Sequence, residues 1–279
     1  MRKLGLIAGG GALPSVLAEQ CRAAGRPYFV VRLLGMADAS LADHPGADIG
    51  IAELGKAIKT LKAQKCETVC FAGVVARPDF GSLKPDMRGL AALPGIVAAA
   101  RQGDDGLLRR VLSEFEKDGF VVEGAHEVLA ELTLPVGLLG KIAPSDAHKR
   151  DIERALQVAR ELGAMDVGQG AVVCDGLVLA LEAQEGTDAM LRRVGELPEA
   201  LRGSPGRMRG VLAKAPKPIQ EMKVDMPTIG LGTVEWAARA GLAGIVGEAG
   251  RLLVLDRDQA IALADDLGLF ILGVEAKTP

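Results

Sequence analysis

Short apolar runs alternate with amphipathic stretches through the first half of the chain, and that alternation sets the first expectation. Residues 4–8 form a continuous apolar run of strand length, and Gly9, Gly10 and Gly11 turn the chain after it. The spacing over 14–24 predicts a helix with Pro14 near its first turn and Gly25 as its stop. Residues 28–34 read as a second strand, 54–63 as a helix, and 69–75 as a third buried strand. The strongly periodic stretch 105–117 predicts a helix closed by Asp118 and Gly119, which leads into a strand at 120–122. Strands alternating with helices imply a parallel sheet covered on both faces.

The pattern breaks at 135–144, which is rich in Gly and Pro and reads as a connection between domains. Beyond it Ser145 is placed to cap a helix running to Leu162. Residues 171–182 read as two strands joined at Asp175-Gly176, a type I′ hairpin signature. A helix from Asp188, a strand over 210–214, a helix over 233–240 and a second hairpin around 248–250 follow. Asp256 is placed to cap a last helix, and 269–274 form a final strand. The expectation is therefore two α/β domains. Residues 1–134 carry a Rossmann-like, mostly parallel sheet, 135–144 a linker, and 145–279 a mixed sheet with hairpins. No internal repeat or low-complexity tract interrupts this.

Composition narrows the class. Hydrophobic residues at 49% and charged residues at 25% describe a globular chain. Aromatics at 3% leave Leu, Val, Ile and Ala to build the core. A net charge of −3 gives no basic field for nucleic acid, and stacking aromatics are too few for single strands. The four cysteines form no CxxC pair and read as reduced, buried thiols of a cytosolic protein. The basic, apolar start resembles a signal peptide but runs at once into three glycines, a strand-turn signal. No run is long enough to span a bilayer.

Glycines after a first strand let backbone amides and a helix N-terminus approach a phosphate. Here Leu13 and Pro14 stand where a dinucleotide fingerprint needs its third glycine, and Arg32 stands where its acid belongs. A phosphate contact and a tight turn both remain open, and a redox dinucleotide is disfavoured, although Arg32 has the charge to meet a 2′-phosphate. The segment 214–230 mixes Lys214, Lys217, Glu221, Lys223 and Asp225 with three prolines. Where it is extended, Glu221, Lys223 and Asp225 share a face. Cations that hold oxygens beside carboxylates that hold a divalent ion suit a diphosphate, and a solvated, self-neutralising loop is the plain alternative. The turn Glu185-Gly186-Thr187-Asp188 offers a hydroxyl, amides and a carboxylate at a strand–helix junction, or simple N-capping. Asp104 and Asp105 read as a helix cap, and the apolar run 90–100 as buried core or an acyl groove. His44, His126 and His148 are scattered, and no HExxH, P-loop, nucleophile elbow or Nudix pattern is present.

Taken together, 5–14, 71–75 with Arg77-Pro78, 103–106, 166–170, 185–188 and 214–230 resemble, in order along the whole chain, the LpxI family of UDP-2,3-diacylglucosamine pyrophosphohydrolases. The resemblance implies two α/β domains with lipid held between them. It implies hydrolysis of UDP-2,3-diacylglucosamine to UMP and 2,3-diacylglucosamine 1-phosphate with Mg²⁺ or Mn²⁺, in lipid A synthesis at the cytoplasmic face of the Gram-negative inner membrane. It makes Asp225, Lys223 and Asp188 the expected catalytic residues, with Asp225 and Asp188 on the metal. Gly10, Gly11, Ala12, Gly73, Gln169, Gly170, Thr187, Asp188, Lys214, Gln220, Thr228 and Gly230 become the expected substrate contacts. A Rossmann-type oxidoreductase and a non-catalytic nucleotide- or lipid-binding regulator are the rival readings.

Overall fold

The computed structural model describes residues 1–76, 79–101, 104–217, 223 and 226–276, the side chains of 104 and 105 excepted. The chain forms two compact units, Met1–Ala130 with Glu221–Asp225, and Glu131–Gln220 with Met226–Pro279.

Unit 1 runs β1 (Leu4–Ala8), α1 (Leu13–Ala23), β2 (Tyr28–Leu33), β3 (Gly46–Ile49), α2 (Leu54–Ala63), β4 (Thr68–Ala72), α3 (Met87–Ala100), α4 (Asp104–Glu116), β5 (Val121–Val122) and α5 (Ala125–Val128). The sheet order is β3-β2-β1-β4-β5, and every pairing is parallel. Each residue of β1 is buried, as a central strand covered on both faces requires. Ile7, Val31 and Val69 pack with Ile58 and Leu61 of α2 and with Leu112 and Phe115 of α4. Strands reach out from β1 in both directions, so the order reverses between β1 and β4. That reversal opens a crevice at the carboxyl ends of the two strands.

Two local expectations are corrected in this unit. β3 is an extra edge strand, which exists because it pairs with β2, and its Asp48 receives Arg32 at 2.7 Å. The apolar run 90–100 lies within α3 and is not plain core: Leu90 is 55% exposed, and the buried positions are Gly89, Ala92 and Ala100. Small residues bring this helix close to its neighbours. A Cβ on Gly89 would come within 2.2 Å of the Ala52 carbonyl oxygen.

Unit 2 runs β6 (Gly137–Leu139), α6 (Asp146–Ala164), β7 (Gly170–Cys174), β8 (Leu177–Leu181), α7 (Gly186–Glu196), β9 (Val211–Lys214), β10 (Thr228–Ile229), α8 (Leu231–Arg239), β11 (Gly244–Glu248), β12 (Leu253–Val254), α9 (Arg257–Leu267) and β13 (Phe270–Val274). Its main sheet has the order β6-β13-β11-β9-β7-β8. β9, β11 and β13 are parallel, while β6 and β7 run against them. One face packs on α7, α8 and α9 through Met190, Leu191, Val234, Ala237, Ala260 and Ala264, and the other on α6 through Ile152, Ala155 and Ala159.

The stretch 135–144 is a connection only in part. Gly137 and Gly140 take φ of +102° and +89° around a short strand, β6, which pairs antiparallel with β13. The glycines shape the ends of an edge strand. The expected hairpin at 248–250 is a turn without a hairpin, because β12 pairs in parallel with β10 and not with β11. Its amides bond outward, from Ala249 to the Val274 carbonyl and from Gly250 to that of Leu134. Asp256 precedes α9 in a left-handed conformation and makes no side-chain cap bond. Ser145 does open α6, where its N–H donates to His148 Nδ1 at 3.1 Å, so His148 serves the helix end.

The β7–β8 hairpin turns on Asp175 and Gly176 with φ of +50° and +79°, the pair of positive angles that a type I′ turn demands. Asp151 of α6, 3% exposed, accepts from both turn amides, at 2.8 and 2.7 Å. Asp151→Ala strands both donors. It should cost about 2–4 kcal/mol in urea unfolding; a loss under about 1 kcal/mol would show that the turn holds itself.

In unit 1, Lys117 donates to Glu114 at 2.7 Å, Arg110 also donates to it, and Arg88 lies 3.5 Å away. The Lys117 bond leads in holding the Glu114 carboxyl below the usual range, against its desolvation. A depressed folded-state pKa stabilises fully above the unfolded value of about 4.3 and ceases to do so as pH falls through the folded one. The stability difference between the native protein and Glu114→Gln should therefore be present at pH 7 and shrink steadily below about pH 4. A difference that stays constant down to pH 2 would refute this.

Candidate active site

Lys214 ends β9 between Gly170, the first residue of antiparallel β7, and Gly247 of parallel β11. Its side chain is 4% exposed. The ammonium donates to Thr187 Oγ1 at 2.7 Å and to the Thr228 carbonyl at 3.2 Å. The Thr187 hydroxyl in turn donates to Glu182 Oε1 at 2.9 Å, and Glu182 Oε2 lies 3.9 Å from the ammonium. Three segments of the same unit thus meet at one end of the sheet: the exit of β9, the turn between β8 and α7, and β10.

Two helices begin there. Thr187 and Asp188 lie in the first turn of α7, and Gly230, in extended conformation, precedes α8. A Cβ on Gly232 in the first turn of α8 would come within 3.8 Å of Asp188 Oδ2, so the two helix starts are neighbours. Helix N-termini present unpaired amides and partial positive charge. With a buried ammonium beside them, they make this sheet end suited to an anion. Asp188 is exposed on its edge.

Gly170 and Gln169 belong to the same corner. The Gln169 carbonyl accepts from the Ala215 amide at 3.0 Å, which continues the β7–β9 ladder past Lys214. A Cβ on Gly170 would lie 2.3 Å from Glu182 Oε2, and one on Gly168 would lie 1.9 Å from the Glu182 carbonyl oxygen. Both glycines therefore make room for Glu182, a residue the sequence reading passed over. The sequence carries no signal for it, since β8 is apolar throughout; in the structure Ala180 is buried, Leu181 is exposed, and Glu182 is buried like Ala180.

In unit 1, the glycine turn stands at the β1/β4 reversal. Gly10 and Val74 exchange backbone bonds at 2.9 and 2.8 Å, and Gly9 donates to the Ala72 carbonyl at 2.9 Å. A Cβ on Gly10 would meet the Met36 carbonyl at 2.9 Å, and one on Gly73, at φ +90°, would meet the Gly10 carbonyl at 2.5 Å. Gly9, Gly10 and Gly73 are thus accounted for by close backbone approach. Gly11, with φ +85° and open space around it, and exposed Ala12 at the start of α1 are left facing solvent. Arg32 is held by Asp48 and by the Leu41 and His44 carbonyls, which removes the group that would have met a 2′-phosphate.

Lys223 belongs to unit 1, where its Cα lies 3.0 Å from a Cβ built on Gly124. Asp225, Gln220 and Glu221 lie outside the described residues, as do Arg77, Pro78 and Gly103 and the side chains of Asp104 and Asp105, on which the expected helix cap falls. Elsewhere in unit 2 a cavity of about 410 Å³ is lined by Arg202, Arg207 and Arg209. The Arg202 and Arg209 guanidiniums bond the backbone carbonyls of their own loop, at Leu197, Gly203, Glu199 and Ala200. Burial raises the thiols of Cys21, Cys66 and Cys70, and lifts Cys174 to about 11, so none is an ionised nucleophile at neutral pH.

Models of the LpxI N-terminal domain and the LpxI C-terminal domain match residues 3–132 and 135–272. The chain belongs to the LpxI family. An LpxI relative from Caulobacter vibrioides (strain ATCC 19089 / CIP 103742 / CB 15), named UDP-2,3-diacylglucosamine pyrophosphatase LpxI, is 68% identical over 275 residues, 99% of this chain and 98% of its own length. Among solved structures, the precorrin-6A reductase CobK covers 100% of this chain and 89% of its own at 13% identity and a TM-score of 0.32, too loose a likeness to bear on the LpxI fold. The boundary between the two LpxI domain models falls just ahead of β6, and β6 belongs to the C-terminal unit.

The closeness of Lys214 to Glu182 has a cost that can be measured. Lys214→Met leaves a carboxylate that is 7% exposed without its neighbouring cation. Stability should fall by about 3 kcal/mol, and replacing Glu182 by Leu in the same protein should recover part of it. Strictly additive losses in denaturant unfolding would show that the two side chains do not interact.

Proposed function

We propose that this chain hydrolyses the pyrophosphate bond of UDP-2,3-diacylglucosamine, giving UMP and 2,3-diacylglucosamine 1-phosphate for lipid A biosynthesis. The observation that carries the reading is the end-to-end 68% identity to the Caulobacter pyrophosphatase. The anion-suited sheet end of unit 2 supports it. A diphosphate repels an incoming water unless its charge is neutralised in place, and fixed cations and amides do that without reorganising. Lys214, the α7 start at Thr187 and the α8 start after Gly230 are groups of that kind, and Gln169, Gly170 and Thr228 line the same corner. Gln220 and Lys223 extend the proposed substrate contacts, and Gly10, Gly11, Ala12 and Gly73 remain the proposed nucleotide or phosphate contacts of unit 1.

The reading includes Mg²⁺ or Mn²⁺ held by Asp188 and Asp225. No group of three or more His, Cys, Asp or Glu side chains gathers among the described residues. That donor set fits an ion that takes one or two carboxylates from the protein and its other oxygens from the diphosphate and water, as Mg²⁺ ordinarily does. When bound, such an ion polarises phosphoryl oxygens and lowers the pKa of bound water. Asp225 is assigned to that ion or to orienting the water, and Asp188 to holding the ion. Among the described residues no helix is long and apolar enough to cross a membrane. The enzyme is proposed to meet its lipid by peripheral contact at the cytoplasmic face of the inner membrane.

Purified protein should release UMP from UDP-2,3-diacylglucosamine with Mg²⁺ or Mn²⁺, stop in excess EDTA and recover when metal returns. No UMP under any metal condition sinks the reaction, and full turnover in EDTA sinks the metal alone. In the same assay Asp225→Ala should lose about two to three orders of magnitude in turnover while still binding substrate, because charge that develops during reaction is what it would serve. Near-normal turnover would remove Asp225 from the mechanism.

A further inference from the structure

We infer that Glu182 is a positioning residue for pyrophosphate cleavage, fixing the Thr187 hydroxyl and, through it, the ammonium of Lys214. The inference rests on the function proposed above and adds a residue to it.

The hydrogen-bond sense carries the argument. A threonine hydroxyl has one proton and two lone pairs, whereas an ammonium only donates. The Lys214 ammonium donates to Thr187 Oγ1 at 2.7 Å, so the hydroxyl proton must point elsewhere, and Glu182 Oε1 takes it at 2.9 Å. Glu182 therefore sets the direction of the chain from Lys214 through Thr187. Without that acceptor the hydroxyl is free to turn its proton toward the ammonium, which repels it.

Burial makes the arrangement specific. Glu182 is 5% exposed, its Oε2 has no hydrogen-bond partner among the described residues, and the Lys214 ammonium lies 3.9 Å from that oxygen. A carboxylate oxygen taken from water with no hydrogen bond is unfavourable unless a nearby positive charge answers it. The fold makes space for that oxygen at Gly170, where a Cβ would lie 2.3 Å from it.

The charge sign separates positioning from binding. A carboxylate near an anionic diphosphate opposes its binding, so Glu182 does not serve affinity. What it supplies is a fixed ammonium, and misplacing a group by about 1 Å can cost on the order of a hundredfold in rate. The variant Glu182→Met keeps the length of the side chain and removes both the acceptor and the charge, whereas a glutamine would still accept from the Thr187 hydroxyl. Glu182→Met should lower kcat at least about tenfold with KM unchanged or reduced.

Steady-state kinetics of Glu182→Met, on protein shown by melting to be folded, test this. A kcat within twofold of the native enzyme, or a raised KM with kcat unchanged, overturns the inference. Should Glu182→Met fail to fold, Thr187→Ser and Thr187→Val take its place: the serine variant should stay near native kcat and the valine variant fall at least about tenfold. Equal kcat in the two overturns it. An activity-independent readout keeps this separate from the function itself. In ligand-free protein labelled with ¹⁵N-lysine, the Lys214 ammonium, assigned by its loss in Lys214→Met, should give a slowly exchanging signal that broadens away in Glu182→Met. An unchanged signal overturns the inference even if the native enzyme turns over. Broadening in a protein that releases no UMP leaves Glu182 holding Lys214 and removes only the proposed reaction.

Discussion

An ammonium ion withdrawn from water has to be answered by acceptors built into the fold, and much of the local design of unit 2 answers Lys214. The strand β9 carries it to the sheet end, where a main-chain carbonyl from β10 and a hydroxyl from α7 receive its protons. One partner depends on a non-local pairing, β10 with β12, and the other sits where the chain leaves the β7–β8 hairpin for α7. The hairpin in turn is clasped by Asp151 from α6. A buried charge is seldom a source of stability. Here it acts as a constraint that ties the register of several elements together.

Glycine does comparable work by leaving space. At Gly170 the missing Cβ admits the side chain of a glutamate, and at Gly168, Gly9, Gly10 and Gly73 it admits neighbouring backbone. The second group bears on how the glycine turn of unit 1 is understood. Gly9 and Gly10 have their amides engaged by carbonyls of β4 and the turn after it, so the conformational reason for those glycines is the reversal of strand order itself. Of the contacts proposed for this turn, Gly11 and Ala12 are the ones its backbone packing leaves exposed.

Much of the fold was legible because its signals are local. β1, α1, β2, α2 and β4 follow from apolar runs and helical spacing, and the type I′ turn follows from Asp175-Gly176 alone. What escaped depends on partners distant in sequence. β3 has one large apolar residue, Ile49, and becomes a strand through β2. β12 sits beside a turn that looks like a hairpin, and pairing with β10 decides otherwise. The site divides in the same way. Residue type singles out Lys214 and Thr187, the family resemblance adds Thr228, and the structure joins them. Glu182 was hidden because a glutamate at a strand end ordinarily faces solvent. Lys223, grouped in sequence with Lys214, clusters with unit 1.

That placement of Lys223 makes unit 1 discontinuous along the chain. Its first part ends at Ala130, and Lys223 arrives only after β6 through β9 have been made. During synthesis on a ribosome, at roughly 5–20 residues per second, several seconds separate the two while the second unit is still emerging. A nascent chain halted shortly before Lys223 would carry an N-terminal sheet with all its strands and still lack that residue of the unit.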